Sequence, residues 1–189
     1  MKKIFALMLS LALLACGAAA AGSAEKEEIG VVGVNDIFTV RGRLPEDYRI
    51  SYKSTNPLAI VASVVSENPE KPYIELSIVF NDSYTQDGKA MKLNDVSEED
   101  MALIRESFEE NMDQTEFREV ETAQGTKALV VRGNMGGQNR VDVYTIYESY
   151  EIEALVTAGE GAQDAQLTEE QVRMIVDFFS ELEFIPAQE

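Results

Sequence analysis

The chain has 189 residues, 45% of them hydrophobic and 26% charged, with 34 acidic residues against 16 basic, no histidine, no tryptophan and one cysteine. That length fits one soluble domain behind a leader, and the composition excludes intrinsic disorder, collagen and coiled coil. A formal charge of −18 disfavours nucleic acid and anionic headgroups as partners, and the absence of histidine removes the commonest general base, the usual zinc ligand and any Ser-His or Cys-His pair.

Met1-Lys2-Lys3 is a short basic segment, and residues 4–15 form an apolar run of signal-peptide length, too short for a stable bilayer span. The run ends in Leu13-Leu14-Ala15-Cys16, which resembles a bacterial lipobox, where cleavage precedes a lipid-bearing cysteine. The alternative is an ordinary secretory signal cut at the small residues Ala18-Ala19-Ala20 or Ala20-Ala21-Gly22. The expected organisation is a signal peptide over 1–15, a lipidated N-terminus and flexible tether over 16–35, and a domain over 36–186. Membrane contact then runs through lipid on Cys16, at the outer side of the cytoplasmic membrane or elsewhere in the envelope.

Residues 37–40, 48–52, 58–65 and 73–80 are rich in β-branched and aromatic side chains and are separated by Leu44-Pro45-Glu46-Asp47 and Asn68-Pro69-Glu70-Lys71-Pro72, which predicts four strands. In the last, Ile74, Leu76, Ile78 and Phe80 alternate with Tyr73, Glu75, Ser77 and Val79, so one face is the core face. Residues 58–65 are apolar on both parities, as in a strand covered on both sides.

Two helices share one opening. Ser97 before Glu98-Glu99-Asp100 and Thr168 before Glu169-Glu170-Gln171 are N-caps with acids on the positive end of the helix dipole, and Val96 with Met101 and Leu167 with Val172 are spaced as hydrophobic staples. The stripes Met101, Ile104, Phe108, Met112 and Val172, Ile175, Val176, Phe179, Leu182 then predict one buried face per helix. Between them, residues 117–122 and 127–132 flank Gln124-Gly125, and residues 139–147 and 150–157 flank Glu148-Ser149. A two-residue turn there pairs Tyr147 with Tyr150, Thr145 with Ile152, Val143 with Ala154 and Val141 with Val156, leaving Arg140, Asp142, Glu151 and Glu153 on a face read as solvated.

The order of Phe38-Thr39-Val40, Leu44-Pro45-Glu46-Asp47-Tyr48, Leu93-Asn94-Asp95-Val96-Ser97-Glu98-Glu99, Glu121-Thr122-Ala123-Gln124-Gly125 and a terminal helix from Leu167-Thr168-Glu169-Glu170-Gln171 to Leu182-Glu183-Phe184 resembles PsbP-like domains over about residues 36–186. The resemblance implies an α+β fold, an antiparallel sheet packed between helices as an α/β/α sandwich. Such domains occur in an accessory subunit of the photosynthetic oxygen-evolving complex, in a Ran-binding regulator and in exported bacterial lipoproteins, and share no active site. Where photosynthetic members use histidine in cation binding, this chain has none.

No catalytic residue, metal ligand or cofactor is expected. Asp95, Glu98 and Glu99 are acids of a helix's first turn, and no serine sits in a nucleophile elbow. Asn134-Met135-Gly136-Gly137-Gln138-Asn139 lacks the lysine of a phosphate loop. Asn81-Asp82-Ser83-Tyr84-Thr85-Gln86-Asp87-Gly88 is rich in oxygen ligands, but a calcium loop aligned on Gly88 places Asn94 where a bidentate Glu is needed, so this stretch is a solvated connector. Arg41, Arg43, Arg49 and Lys53 form the one local excess of base and are a candidate patch for an anionic partner; the bland alternative is a solvated strand edge. The expected function is a non-enzymatic envelope lipoprotein acting as an interaction or accessory module for an envelope protein, with a small-ligand or cation-binding protein serving a transporter as the alternative.

Overall fold

The computed structural model describes residues 26–32, 38–159 and 165–186. Cys16, the signal peptide and most of the expected tether lie outside the described residues. The elements are β1 (Glu27–Val32), β2 (Phe38–Gly42), β3 (Tyr48–Asn56), β4 (Ala59–Ser66), β5 (Tyr73–Phe80), β6 (Thr85–Gln86), β7 (Lys89–Ala90), α1 (Glu98–Asn111), β8 (Asp113–Glu121), β9 (Lys127–Met135), β10 (Gln138–Tyr147), β11 (Tyr150–Thr157), α2 (Glu169–Ser180) and β12 (Glu183–Pro186). Seven strands form an antiparallel sheet in the order β3-β4-β5-β11-β10-β9-β8, and β1-β2-β12 form a second, smaller sheet.

The β10–β11 hairpin has the register that its alternation predicts: Tyr147 lies opposite Tyr150, Thr145 opposite Ile152, Val143 opposite Ala154 and Val141 opposite Val156. Its connecting residues Glu148 and Ser149 have φ of 50° and 66°, the pair of left-handed conformations that a type I′ turn demands. Glycine or asparagine adopts these more readily, so other contacts of this turn must offset the strain.

The main core lies on one face of the large sheet. Ile74, Leu76, Ile78, Val143, Ile152 and Ala154 meet Ile29 and Val40 of the small sheet and Val172, Ile175, Phe178 and Phe179 of α2. Thr168 caps α2 by accepting from the Gln171 amide at 3.2 Å while Gln171 accepts from the Thr168 amide at 2.8 Å, and the staple residues Leu167 and Val172 are both buried. A second core lies on the opposite face, where Leu129, Val131, Tyr144 and Ile146 are buried and Met101, Ile104 and Phe108 of α1 pack on them half-exposed.

The expected α/β/α sandwich is corrected by this arrangement, which is a β-rich sandwich. Over the main core the second layer is the small sheet with α2, not a layer of helices. Its outer strands come from segments that sequence reading placed elsewhere. Glu27 and Glu28 fall in the expected tether yet belong to β1, whose Ile29 has no exposed surface. Glu183 and Phe184 were expected to close the last helix, yet they pair in β12 with Arg41 and Val40. On the other face α1 buries no residue completely, because its composition is dominated by acids and its apolar stripe reaches only the β8–β10 end. For the same reason β4 is fully covered on one side only: Ile60, Ala62 and Val64 are buried, whereas on the other side Val61 and Val65 are half-buried and Ser63, bonded to the Tyr73 hydroxyl, is buried.

Close approach of the two sheets is visible at Gly30, where a Cβ would lie 2.8 Å from Thr55 Cγ2 and 3.0 Å from Ile60 Cδ1. Phe178 and Phe179 of α2 pack into the same core. Phe179 is 3% exposed, so Phe179→Ala is expected to lower unfolding free energy by about 3–5 kcal/mol, read as a shift of the urea midpoint. An unchanged midpoint would mean that α2 does not pack on the sheet as described.

Candidate functional site: an acidic cleft between helix and sheet

The face of the large sheet that α1 leaves partly open carries the polar parity of β10 and β11. Sequence reading assigns Arg140, Asp142, Glu151 and Glu153 to solvent. The structure instead roofs them, leaving a cleft of about 820 Å³ between the sheet, α1 and the chain segment before it. That volume lies in the range of small-molecule sites.

The roof begins at the stretch read as a solvated connector. Asn81 caps a 3-10 turn by accepting from the Ser83 amide at 3.1 Å, and β6 and β7 then pair around Asp87-Gly88, with φ of 53° and 73°. This flap is pinned by the β10–β11 turn. Ser149 is 1% exposed; its hydroxyl donates to the Tyr84 carbonyl at 2.6 Å and lies 2.9 Å from Thr85 Oγ1, and its amide donates to Met91 at 3.1 Å. These bonds explain why a strained Ser occupies the turn. After the flap, Asn94 accepts from the Lys127 amide at 2.8 Å and donates to the Gly125 carbonyl at 3.2 Å, tying the start of α1 to the β8–β9 turn. Ser97 then caps α1 by accepting from the Asp100 amide at 3.1 Å.

Asp142 forms the floor. It has no exposed surface, and Arg140 Nε donates to both of its oxygens at 2.8 Å. The same guanidinium reaches Glu153 at 3.1 Å and the Met135 sulfur at 3.1 Å. Burial pushes Asp142 up to about 7 although Arg140 pulls in the opposite direction, and burial likewise raises Glu153. One cation thus serves a fully buried carboxyl group and a half-buried one, a geometry that orders all three side chains while leaving the floor without surplus positive charge.

Toward α1 the lining becomes aromatic. Tyr144 donates to Glu151 at 3.1 Å, and the Tyr84 and Tyr144 hydroxyls lie 3.4 Å apart. Burial raises both phenols above their ordinary range, so both remain protonated donors at neutral pH. Phe108 meets Tyr144 edge to face, with centroids 5.8 Å apart. Leu103 and Met135, 58% and 44% exposed, also border the cleft. Among the described residues no group of three or more acidic or cysteine side chains is placed to hold a metal ion.

The basic patch expected from the sequence is dispersed. Arg41 lies on the middle strand of the small sheet, opposite Glu28 on one side and Glu183 on the other. Arg43 is 3.6 Å from Glu181. Arg49 and Lys53 are on β3, but an irregularity between Ile50 and Tyr52 inverts the alternation, so Arg49 shares a face with Val65 and Lys53 shares the opposite face with Ala62. The four bases therefore do not form one surface. Sequence reading misses the cleft residues, although Tyr144 and Ile146 on the parity of Asp142 signal that this face is covered.

Comparison with protein-family models, with curated proteins and with solved structures returned no match to this chain.

The raised Asp142 makes stability pH-dependent. An aspartate in the unfolded chain has a pKa near 3.9, whereas in the fold it is about 7. Between those values the folded chain keeps a proton that the unfolded chain releases, so this contribution is full at low pH, declines from about pH 4 to about pH 7 and is constant above. Asp142→Asn is expected to reduce the fall in urea stability between pH 5 and pH 8 relative to the natural chain; parallel profiles for the two would remove this assignment.

Proposed function

We propose that the chain is an exported, lipid-held accessory protein of the cell envelope whose domain binds a small ligand in the cleft and performs no chemistry on it. The observation that carries the binding reading is the cleft itself, in which several polar groups and apolar side chains converge on about 820 Å³ of space. Exposed apolar groups elsewhere are dispersed, with Tyr52 and Leu58 at the β3–β4 hairpin and Val79 on β5. The non-catalytic reading rests on Asp142, the carboxyl group whose pKa near 7 suits acid–base work: it is sealed from solvent and both oxygens are held by Arg140, so it acts on its neighbours and not on a bound molecule.

The address rests on the leader alone, on the basic start, the apolar run and Cys16 at its end. The motif order that resembles PsbP-like domains adds that such domains serve accessory roles. In this reading the ligand is captured or presented at the membrane surface, for a transporter or another envelope protein.

Two experiments test the two halves. Ser107 lines the cleft from the exposed side of α1, so Ser107→Trp fills it without touching either core; ligands that raise the melting temperature of the natural chain in a metabolite screen are expected to lose that effect in the variant. Hits that stabilise both proteins equally would place binding elsewhere and end the cleft reading. Cys16→Ser is expected to move the protein from the membrane fraction to the soluble exported fraction or to leave the leader uncleaved, whereas an unmodified mature N-terminus at Ala19, Ala21 or Gly22 would show ordinary secretion.

A further inference from the structure

We infer that the cleft selects an organic cation: an ammonium or guanidinium head set between Glu151 and Asp100, with an apolar body against Leu103 and Phe108. This rests on the ligand-binding reading above and specifies its chemistry.

The charge inventory is asymmetric. Asp100, Asp142, Glu151 and Glu153 line the cleft, and Arg140 is the one cationic side chain among its described lining residues. That guanidinium is occupied: it is only 17% exposed and is engaged by Asp142 and Glu153 together. An anionic ligand would therefore find no uncommitted cation in the cleft and would enter against Glu151 and Asp100. A positively charged head encounters the opposite situation, since among the described residues neither of those two carboxyl groups has an ion pair with a basic side chain while each is oriented by a hydroxyl. Tyr144 donates to Glu151 at 3.1 Å and Ser97 donates to Asp100 at 2.7 Å. Tyr144 is itself fixed by Tyr84 and by the edge of Phe108, so Glu151 is held in place before a ligand arrives.

The apolar half of the lining argues against a bare metal ion. Leu103 keeps 58% of its surface exposed on the helix that borders the cleft, and Ile104 and Phe108 continue the same side. A hydrated inorganic cation gains nothing from these groups, whereas the body of an organic cation buries them, and the aromatic lining adds attraction for its positive head.

Calorimetric titration of the full domain at pH 7.5 with three matched probes tests the inference: 2-phenylethylammonium, 2-phenylethanol and 3-phenylpropanoate. The ammonium is expected to bind at least about ten-fold more tightly than the alcohol, the scale of one charge-assisted contact, with no measurable binding of the carboxylate and a loss of affinity on adding salt. Glu151→Gln should weaken the ammonium by about ten-fold and leave the alcohol unchanged. Asp100→Asn, at an exposed position on α1, should weaken it in the same direction and serves where the Glu151 variant melts early. Equal binding of all three probes, all removed by Ser107→Trp, would retain a ligand site and overturn its selectivity for cations. Failure of the ammonium to bind, or loss of alcohol binding in parallel with it in both carboxyl variants, would also overturn the inference.

Discussion

The alternation of side chains along the β10–β11 hairpin governs everything built on either side of it. One register buries Val141, Val143, Ile152 and Ala154 in the main core and, by the same geometry, sets Arg140, Asp142, Tyr144, Glu151 and Glu153 under α1 and the flap. A slip of one residue would drive the carboxyl groups into the apolar core and expose the valines, so register, core and cleft are one choice made once. The two-residue turn that enforces this register contains Ser149, which also anchors the flap. Strain in the turn and closure of the cleft roof are thereby linked through a single side chain.

The partly buried Arg140–Asp142–Glu153 group is an expensive way to make a sheet face. Removing these charges from water opposes folding, and an apolar replacement of matching shape is often neutral or stabilising. What the group provides is direction: Arg140 can satisfy both carboxyl groups only from one position, and that position fixes the floor of the cleft. The raised proton affinity of Asp142 records the residual desolvation that Arg140 does not cancel.

The unequal roles of the two helices follow from their sequences. In α2, apolar residues at 172, 175, 178 and 179 form a continuous buried face against the main core. In α1 the apolar stripe is interrupted by charge on its flanks, no residue is fully buried, and the helix rests on the sheet through Met101, Ile104 and Phe108 while Leu103 stays exposed. A helix that packed closely there would leave no cleft. Space for a ligand exists because α1 is a poor core helix.

The sequence by itself determined the strand positions of the central hairpins, the two helix starts and the β10–β11 register, because each depends on local chemistry: alternation with period two, a hydroxyl cap ahead of acids, and apolar residues at helical spacing. It also set the acidic charge and the lack of histidine that confine the available chemistry. Tertiary structure decided the rest. β1 and β12 are short, of four to six residues, and acquire strand character only by pairing with β2, so nothing in Glu27-Glu28 or Glu183-Phe184 distinguishes them from a tether or a helix end. Within the basic patch, Arg49 and Lys53 are parted by an irregularity in β3 that no residue there announces, and Arg41 lies on the other sheet. Whether a polar sheet face meets water or a roof depends on segments far along the chain, here Asn81 to Met91 and α1, and on the exposure they leave. That is why Arg140, Asp142, Glu151 and Glu153 could be placed on a common face from the sequence, yet only the folded chain shows that this face is a cleft.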